Sequence, residues 1–419
     1  MVIGSGGLAF LALSIDSTFP DPLAELPFIL ETTVPGGRAI ATTVAGATIT
    51  VAAIVFSITA LSTQMASTQY SPRSLGGFFE DPFQQTIIGL IVGTFTYSLM
   101  VLASLGSAIA DGSGPTTSVS VTLALVLAVG SVIGIVAYIN HSLRRMQVDS
   151  VVRRIADASI SAIERHLERT DGEEEASSDG SPTQGDSRAL KSDTGGWVVT
   201  IDEEHALQAL PPGSTARIDV RLGEAVAPGD RIIAVWPDPG EDWEGAQALL
   251  RSVVTAQERS LDLDPTFGIR QLVDIGLRAL SPGINDPTTA VDVVHHLKTP
   301  VRTVLLSDAP RRVFSGPDNR RVFLSRTPGR SDYVYQAFSE IRLFAGQQPY
   351  VLSALLEVLG DLKADLEEAD LSERAGAVDH ELRATISTAQ DSGLPQDDLE
   401  RVLDRAAVAH HLAESEVSE

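Results

Sequence analysis

The chain has 419 residues, 43% of them hydrophobic, which is material for two or three folding units. Its formal net charge of -24, with three lysines (Lys191, Lys298, Lys363), argues against nucleic acid as a partner. The absence of cysteine excludes disulfides, thiol nucleophiles and Cys-ligated metal centres.

The apolar residues concentrate before position 141. Residues 39–61, 83–110 and 115–140 carry no charged side chain. At 1.5 Å per residue each is long enough to cross roughly 30 Å of hydrocarbon. Residues 1–15 form a shorter apolar run that lacks the basic start of a signal peptide and reads as the tail of a truncated first span. The expectation is a helical membrane bundle over residues 1–141, of about four spans, with the lipid bilayer as its partner.

Arginine placement orients the bundle. His141, Arg144, Arg145, Arg153 and Arg154 make the end after the last span the most basic, which puts it in the cytoplasm of a cell whose plasma membrane holds the chain. By alternation, the loop from Ser62 to Pro82 with Arg73 is inside, and the loop from Asp111 to Gly114 and the acidic segment from Asp16 to Glu31 are outside. Asp81 is placed to cap a helix that begins at Pro82.

The spans hold no Asp, Glu, Lys, Arg or His, which disfavours intramembrane proton relays. They hold hydroxyls instead. Thr43, Thr50 and Ser57 recur every seven residues with Ala47 in the same stripe, and Thr48, Thr59 and Ser62 form a neighbouring one. Such a helix is suited to line a wet path or to pack in a bundle. Gly89 with Gly93, and Gly130 with Gly134, have the small-xxx-small spacing that permits close helix approach and a homo-oligomer.

Residues 142–169 continue as a cytosolic juxtamembrane helix with Val148, Val152, Ile155, Ala162 and Ile163 on one side. Residues 170–194 are acidic and rich in Ser and Gly, the composition of a disordered linker. Strand-like runs "GGWVVTI", "RIDVRLGEAV" and "PGDRIIAVW" predict a small β-barrel or sandwich over residues 195–240. The spacing of Gly223, Val226, Gly229, Ile232 and Val235 resembles biotinyl and lipoyl carriers, but no lysine lies within the strands to accept a cofactor. Residues 243–413 have helical periodicity, with Leu343, Phe344, Leu352, Leu355, Leu356 and Leu359 as core candidates, and residues 414–419 form a frayed tail. The fold class is thus an α-helical membrane bundle followed by a cytosolic α+β region with a helical C-terminal domain.

One turn within that last domain concentrates functional-looking residues, "GLRALSPGINDPTTAVDVVHHL" (276–297). Asp264 is placed to cap a helix from Pro265 that ends at Pro282 and Gly283. Asn285 and Asp286 offer cap oxygens, Pro287 has the φ of a first helical residue, and the next helix runs Thr289 to Leu297. Arg278, Asn285 and Asp286 form a candidate ligand or anion turn, with Arg278 pairing Asp286 and N–H groups freed at the helix start. His295 and His296 point some 100° apart, and Asp292 with His296 supplies two metal ligands without a third, so neither metal nor cofactor is expected.

The segments "YSPRSLGGFFEDPFQQTIIGLIVGTFTYSLMVL" and "FGIRQLVDIGLRALSPGINDPTTAVDVV" resemble a bacterial and archaeal family of predicted multi-pass membrane proteins, catalogued as a domain of unknown function. The resemblance implies four spans followed by a soluble C-terminal region. It transfers no catalytic residues.

Three functional classes follow. The first is a homo-oligomeric channel or transport-like protein gated by its cytosolic domain; the second is a membrane-anchored sensor or scaffold that binds a small molecule or a partner. An enzyme would draw on Asp274, Arg278, Asn285, Asp286, Asp292 and His296, yet no nucleophile stands beside a positioned base and neither GxxxxGK nor HExxH occurs. The expectation is that the protein is not an enzyme.

Overall fold

A computed structural model describes residues 2–18, 30, 32–69, 82–110, 119–145, 148–169, 186–240 and 242–404. Asp81, Arg73, the loop 111–114, residues 170–185 and the acidic tail all lie outside the described residues. The chain divides into two compact units, Met1–Gln147 and Val148–Glu419.

The first unit is four helices, α1 (Val2–Thr18), α2 (Val34–Gln69), α3 (Pro82–Ala110) and α4 (Val119–Arg145). Three stretches are long and apolar enough to cross a membrane: Val34–Leu61, Pro82–Leu105 and Val119–Ser142. The shorter α1 packs on α3 and α4. Ala9, Ala12, Ala41, Tyr97, Val101, Leu105, Val121 and Ala124 share one core, and Val55, Ile87, Ile91 and Tyr138 another. Small residues set the approach of the helices: a Cβ on Gly93 would meet Ser5 of α1, and one on Gly134 would meet Ile87 and Leu90 of α3.

Within this unit polar groups satisfy one another. The Thr94 and Ser131 hydroxyls lie 3.0 Å apart, and the Tyr97 hydroxyl donates to the Ser120 carbonyl at 3.0 Å. Asp16 belongs to α1 rather than to a loop. Buried at 4% exposure, its carboxylate accepts from the Val119 and Ser120 N–H groups and the Ser120 hydroxyl at 2.9, 3.0 and 2.6 Å. It therefore caps α4 from a distant part of the chain and answers orphan donors of that helix start.

The second unit opens with α5 (Val148–Arg169), whose buried face is Val151, Val152, Ile155, Ala156, Ala162 and Ile163. A five-stranded and a three-stranded sheet follow. The first has the order β1-β5-β3-β8-β7, from β1 (Arg188–Lys191), β3 (Thr215–Ile218), β5 (Arg231–Trp236), β7 (Val313–Ser315) and β8 (Arg321–Leu324). The second has the order β4-β2-β6, from β2 (Gly196–Ile201), β4 (Ala225–Val226) and β6 (Val253–Ala256). Val198, Ile218, Ile233, Val235, Val253 and Val322 meet in their common core, joined by α6 (Glu203–Ala209) and α7 (Ala246–Leu250).

The β part thus exceeds residues 195–240 at both ends. Strand β1 lies inside the stretch expected as linker, since "RALK" is too short to show a period and owes its order to pairing with β5. Strand β8 joins in parallel register to β3, with Ala216 opposite Val322, across more than a hundred residues of sequence that local periodicity cannot bridge.

Five longer helices complete the unit: α8 (Phe267–Ala279), α9 (Pro287–Leu306), α10 (Arg330–Ala345), α11 (Pro349–Glu368) and α12 (Gly376–Asp391). Helix α9 does not stop at Leu297 but runs through Pro300. Val301, Val304 and Leu305 continue the buried face of Val293, Val294 and Leu297, and that burial outweighs the lost hydrogen bond. Leu343 and Phe344 are exposed, because Phe338, Ile341 and Ala345 hold the inward face of α10. The core role expected of Leu352, Leu355, Leu356 and Leu359 holds, and all four are fully buried.

Candidate functional site

Thr43, Thr50 and Ser57 all lie on the outward face of α2. Each hydroxyl donates to the carbonyl four residues back, at Ala39, Gly46 and Ala53, over 2.8, 2.9 and 2.8 Å. This back-bonding leaves oxygen lone pairs facing outward and no free hydroxyl hydrogen. Thr48, of the neighbouring stripe, is buried. Gly46 and Ala53 extend the exposed stripe, flanked by Ile49 and Phe56 on one side and Ile54 and Leu61 on the other. The outward face of α4 is different: Val126, Val129, Val132, Ile133 and Val136 are exposed there, and all are branched aliphatics.

The turn at 276–297 is closed by its own backbone. The Asn285 N–H donates to Ser281 O at 2.9 Å and the Asp286 N–H to Ala279 O at 2.8 Å. Asn285 adopts φ 49°, the left-handed region that asparagine tolerates, and its Oδ1 accepts from Gln348 Nε2 at 3.1 Å. Asp286 is the N-cap of α9: one oxygen accepts from the Thr289 N–H at 3.1 Å, the other from the Thr289 hydroxyl at 2.7 Å. Both its oxygens are thus engaged in capping, whereas Nε of Arg278 is buried without a hydrogen-bond partner. Asp274 accepts from Arg270, which also reaches Glu340, and His296 Nδ1 lies 2.8 Å from Asp292 O. Among the described residues no group of three or more His, Asp or Glu is placed to hold a metal ion. Asp264 sits in the turn before α8, accepting from the Thr266 N–H at 3.0 Å and from Arg259 at 2.8 Å.

A cavity of about 150 Å³ lies elsewhere in the second unit. Its walls are Ile163, His166 and Leu167 of α5, Val304 of α9, Asp308 to Pro310 and Arg312 after it, and Pro328, Gly329, Arg330 and Tyr333 at the start of α10. The carbonyls at the end of α9 have two arginines on them. Arg374 donates to Leu305 O, Leu306 O, Ser307 O and Asp308 Oδ1, while Arg330 donates to Ser307 O at 2.6 Å. Such carbonyls have no partner within the helix, and guanidinium groups answer them. Burial, and then the charge of Arg374, pull the Arg330 pKa below its ordinary value. Burial also raises the Tyr333 phenol above its usual range, with Asp264 and Asp332 adding to the shift, so it is a neutral hydroxyl at physiological pH. Apart from Ile163, expected on the apolar side of α5, none of these cavity residues was singled out by the sequence, because they come from three segments more than a hundred residues apart in total and no motif links them.

Apolar helices long enough to span, followed by a unit with two sheets and packed helices, define an α-helical membrane protein with a mixed α/β second unit. The chain belongs to the family described as "Predicted membrane protein (DUF2254)", which matches residues 1–361. It is similar to uncharacterized proteins of Mycobacterium bovis and Mycobacterium tuberculosis, each 30% identical over 98% of this chain and 78% of the relative. No solved structure matches it.

Proposed function

We propose that the protein is a homo-oligomeric, channel-like or transport-like membrane protein in which the outward face of α2 meets other copies. The observation that carries this reading is the contrast between two outward faces. The α4 face is mainly branched aliphatic, Leu125, Val126, Val129, Val132, Ile133 and Val136 with Ala137 and, near the helix end, Asn140, which is what hydrocarbon selects, whereas the α2 face presents Thr43, Gly46, Thr50, Ala53 and Ser57 between its larger apolar residues. Small side chains allow close backbone approach, and outward oxygens suit a neighbouring helix or a wet path better than lipid. The interior of one bundle is filled by Tyr97, Tyr138 and their neighbours, so a path formed by this protein runs between copies. In this reading α1 counts as a fourth, short span, the two sheets form a small sandwich, and the second unit lies in the cytoplasm at the cell membrane.

The native chain has no cysteine, so single-cysteine variants report cleanly. Ser57→Cys in native membranes is expected to cross-link between chains under oxidation, and Val132→Cys to remain monomeric. Cross-linking at Val132 alone, or no conductance and no solute flux from cross-linkable protein in reconstituted bilayers, overturns the reading.

A second reading is a membrane-anchored sensor, in which the second unit binds a ligand and no chemistry occurs. The cavity beside Arg330 favours it, being concave, partly apolar and lined by cationic groups.

A further inference from the structure

The second unit is rich in ion pairs between arginine and carboxylate. Arg217 has Asp219, Arg259 has Asp264, Arg270 has Asp274 and Glu340, Arg326 has Glu224, Arg342 has Glu381 and Arg374 has Asp308. In a protein with 55 acidic residues against 31 basic ones this is the expected condition. Several arginines, among them Arg278 and Arg311, depart from it, and so do Arg312 and Arg330. Among the described residues neither is paired with a carboxylate, and both line the same cavity. Arg312, the exposed member, donates to the Thr327 carbonyl at 3.2 Å. Arg330 has only the Ser307 carbonyl among its named acceptors, and its Nε is buried without a partner.

The nearby acids are committed elsewhere. Asp308 pairs with Arg374 and its side chain is 94% exposed; Asp332 accepts from the Gly329 N–H at 2.8 Å. Besides the exposed Asp308, which also lines the cavity and pairs with Arg374, the cavity presents two guanidinium groups, the His166 ring and the neutral Tyr333 hydroxyl. Holding Arg330 beside Arg374 and partly out of water costs free energy, and the lowered pKa of Arg330 expresses that cost. An anion in the cavity removes it.

We propose that this cavity, between α5, the end of α9 and the start of α10, is a binding site for a small phosphate group. Guanidinium forks match the oxygens of phosphate bidentately, and several donors around one space suit a group with several acceptors. The volume of about 150 Å³ admits inorganic phosphate or one headgroup phosphate and is too small to enclose a nucleotide. The proposal supplies a ligand class for the sensor reading and rests on it only in that the second unit binds something. It is independent of the channel reading.

The test is calorimetric titration of the full-length, detergent-solubilised protein with inorganic phosphate, and in a second arm with a short-chain phosphatidic acid. Saturable binding is expected, weakened about tenfold or more by Arg312→Gln and by Arg330→Gln, with Arg326→Gln, outside this cavity, as an unchanged control. Arg312 is exposed and donates to the Thr327 carbonyl rather than to the end of α9, so its variant stays informative if Arg330→Gln unfolds. Tighter binding of the lipid assigns the phosphate to a headgroup, and tighter binding of the free ion to a soluble ligand; both support the site. No binding in either arm, or binding indifferent to Arg312→Gln, overturns it. Ser57→Cys cross-linking, which tests the channel reading, is read separately, so failure of that reading leaves the phosphate site standing and failure of the site leaves that reading standing.

Discussion

The two units bury carboxylates in opposite ways. In the first, Asp16 is 4% exposed and is met by two backbone N–H groups and a serine hydroxyl, with no cation among the described residues. In the second, Glu381 is 1% exposed and is met by Arg342 at 2.6 Å and the Ser339 hydroxyl at 2.9 Å. Hydroxyls turn back on helix carbonyls in both units, as Thr50 does in α2 and Thr385 in α12, but the second unit also ties its elements together with arginine–carboxylate pairs. Where hydrocarbon is the neighbour, a polar group is best satisfied by nearby backbone; where water is near, a paired charge is tolerable.

The contrast predicts unequal costs. Arg342→Ala strands Glu381 without its cation, and calorimetric unfolding should show a loss of about 3–5 kcal/mol. A loss below about 1 kcal/mol would mean that the pair is not what fixes α10 to α12. Gly268→Ala comes next, because a Cβ there collides with the Ser159 hydroxyl of α5 within the second unit. It should cost about 1–3 kcal/mol, whereas Gly283→Ala, with open space around it, should stay within about 0.5 kcal/mol.

Asp16→Ala removes a cap and no ion pair, so a smaller cost of about 1 kcal/mol is expected, read as faster amide exchange at Val119 and Ser120. A loss as large as that of Arg342→Ala would erase the distinction between the units. The smallest effect is that of Thr50→Val. Its hydroxyl already spends its hydrogen on Gly46 O, so thermal stability of the dissociated chain should stay within about 0.5 kcal/mol while inter-chain cross-linking from Ser57→Cys falls. A large loss of stability would place that hydroxyl inside the fold of one chain and count against the α2 interface.

Much of the architecture is legible in the residue order. Uncharged runs place the apolar helices because length and composition alone decide whether a helix can span. The capping role of Asp286 is likewise readable, since Asp followed by Pro at a helix start needs only local geometry. Periodicity misleads where one helix carries apolar residues on two faces: Leu343 and Phe344 look like core, but only the neighbours packed on α10 select Ile341 and Ala345 instead.

Sequence by itself determined that the first third is apolar, that the remainder is acidic and mixed in structure, and that α3 starts at Pro82 and α9 at Pro287. Only the tertiary structure decided that β8 completes a sheet begun by β3, that Asp16 caps α4, and that Arg312 and Arg330 share a cavity. Those relations join residues far apart in the chain, and their free energy comes from contacts that exist only once the chain has closed the intervening loops.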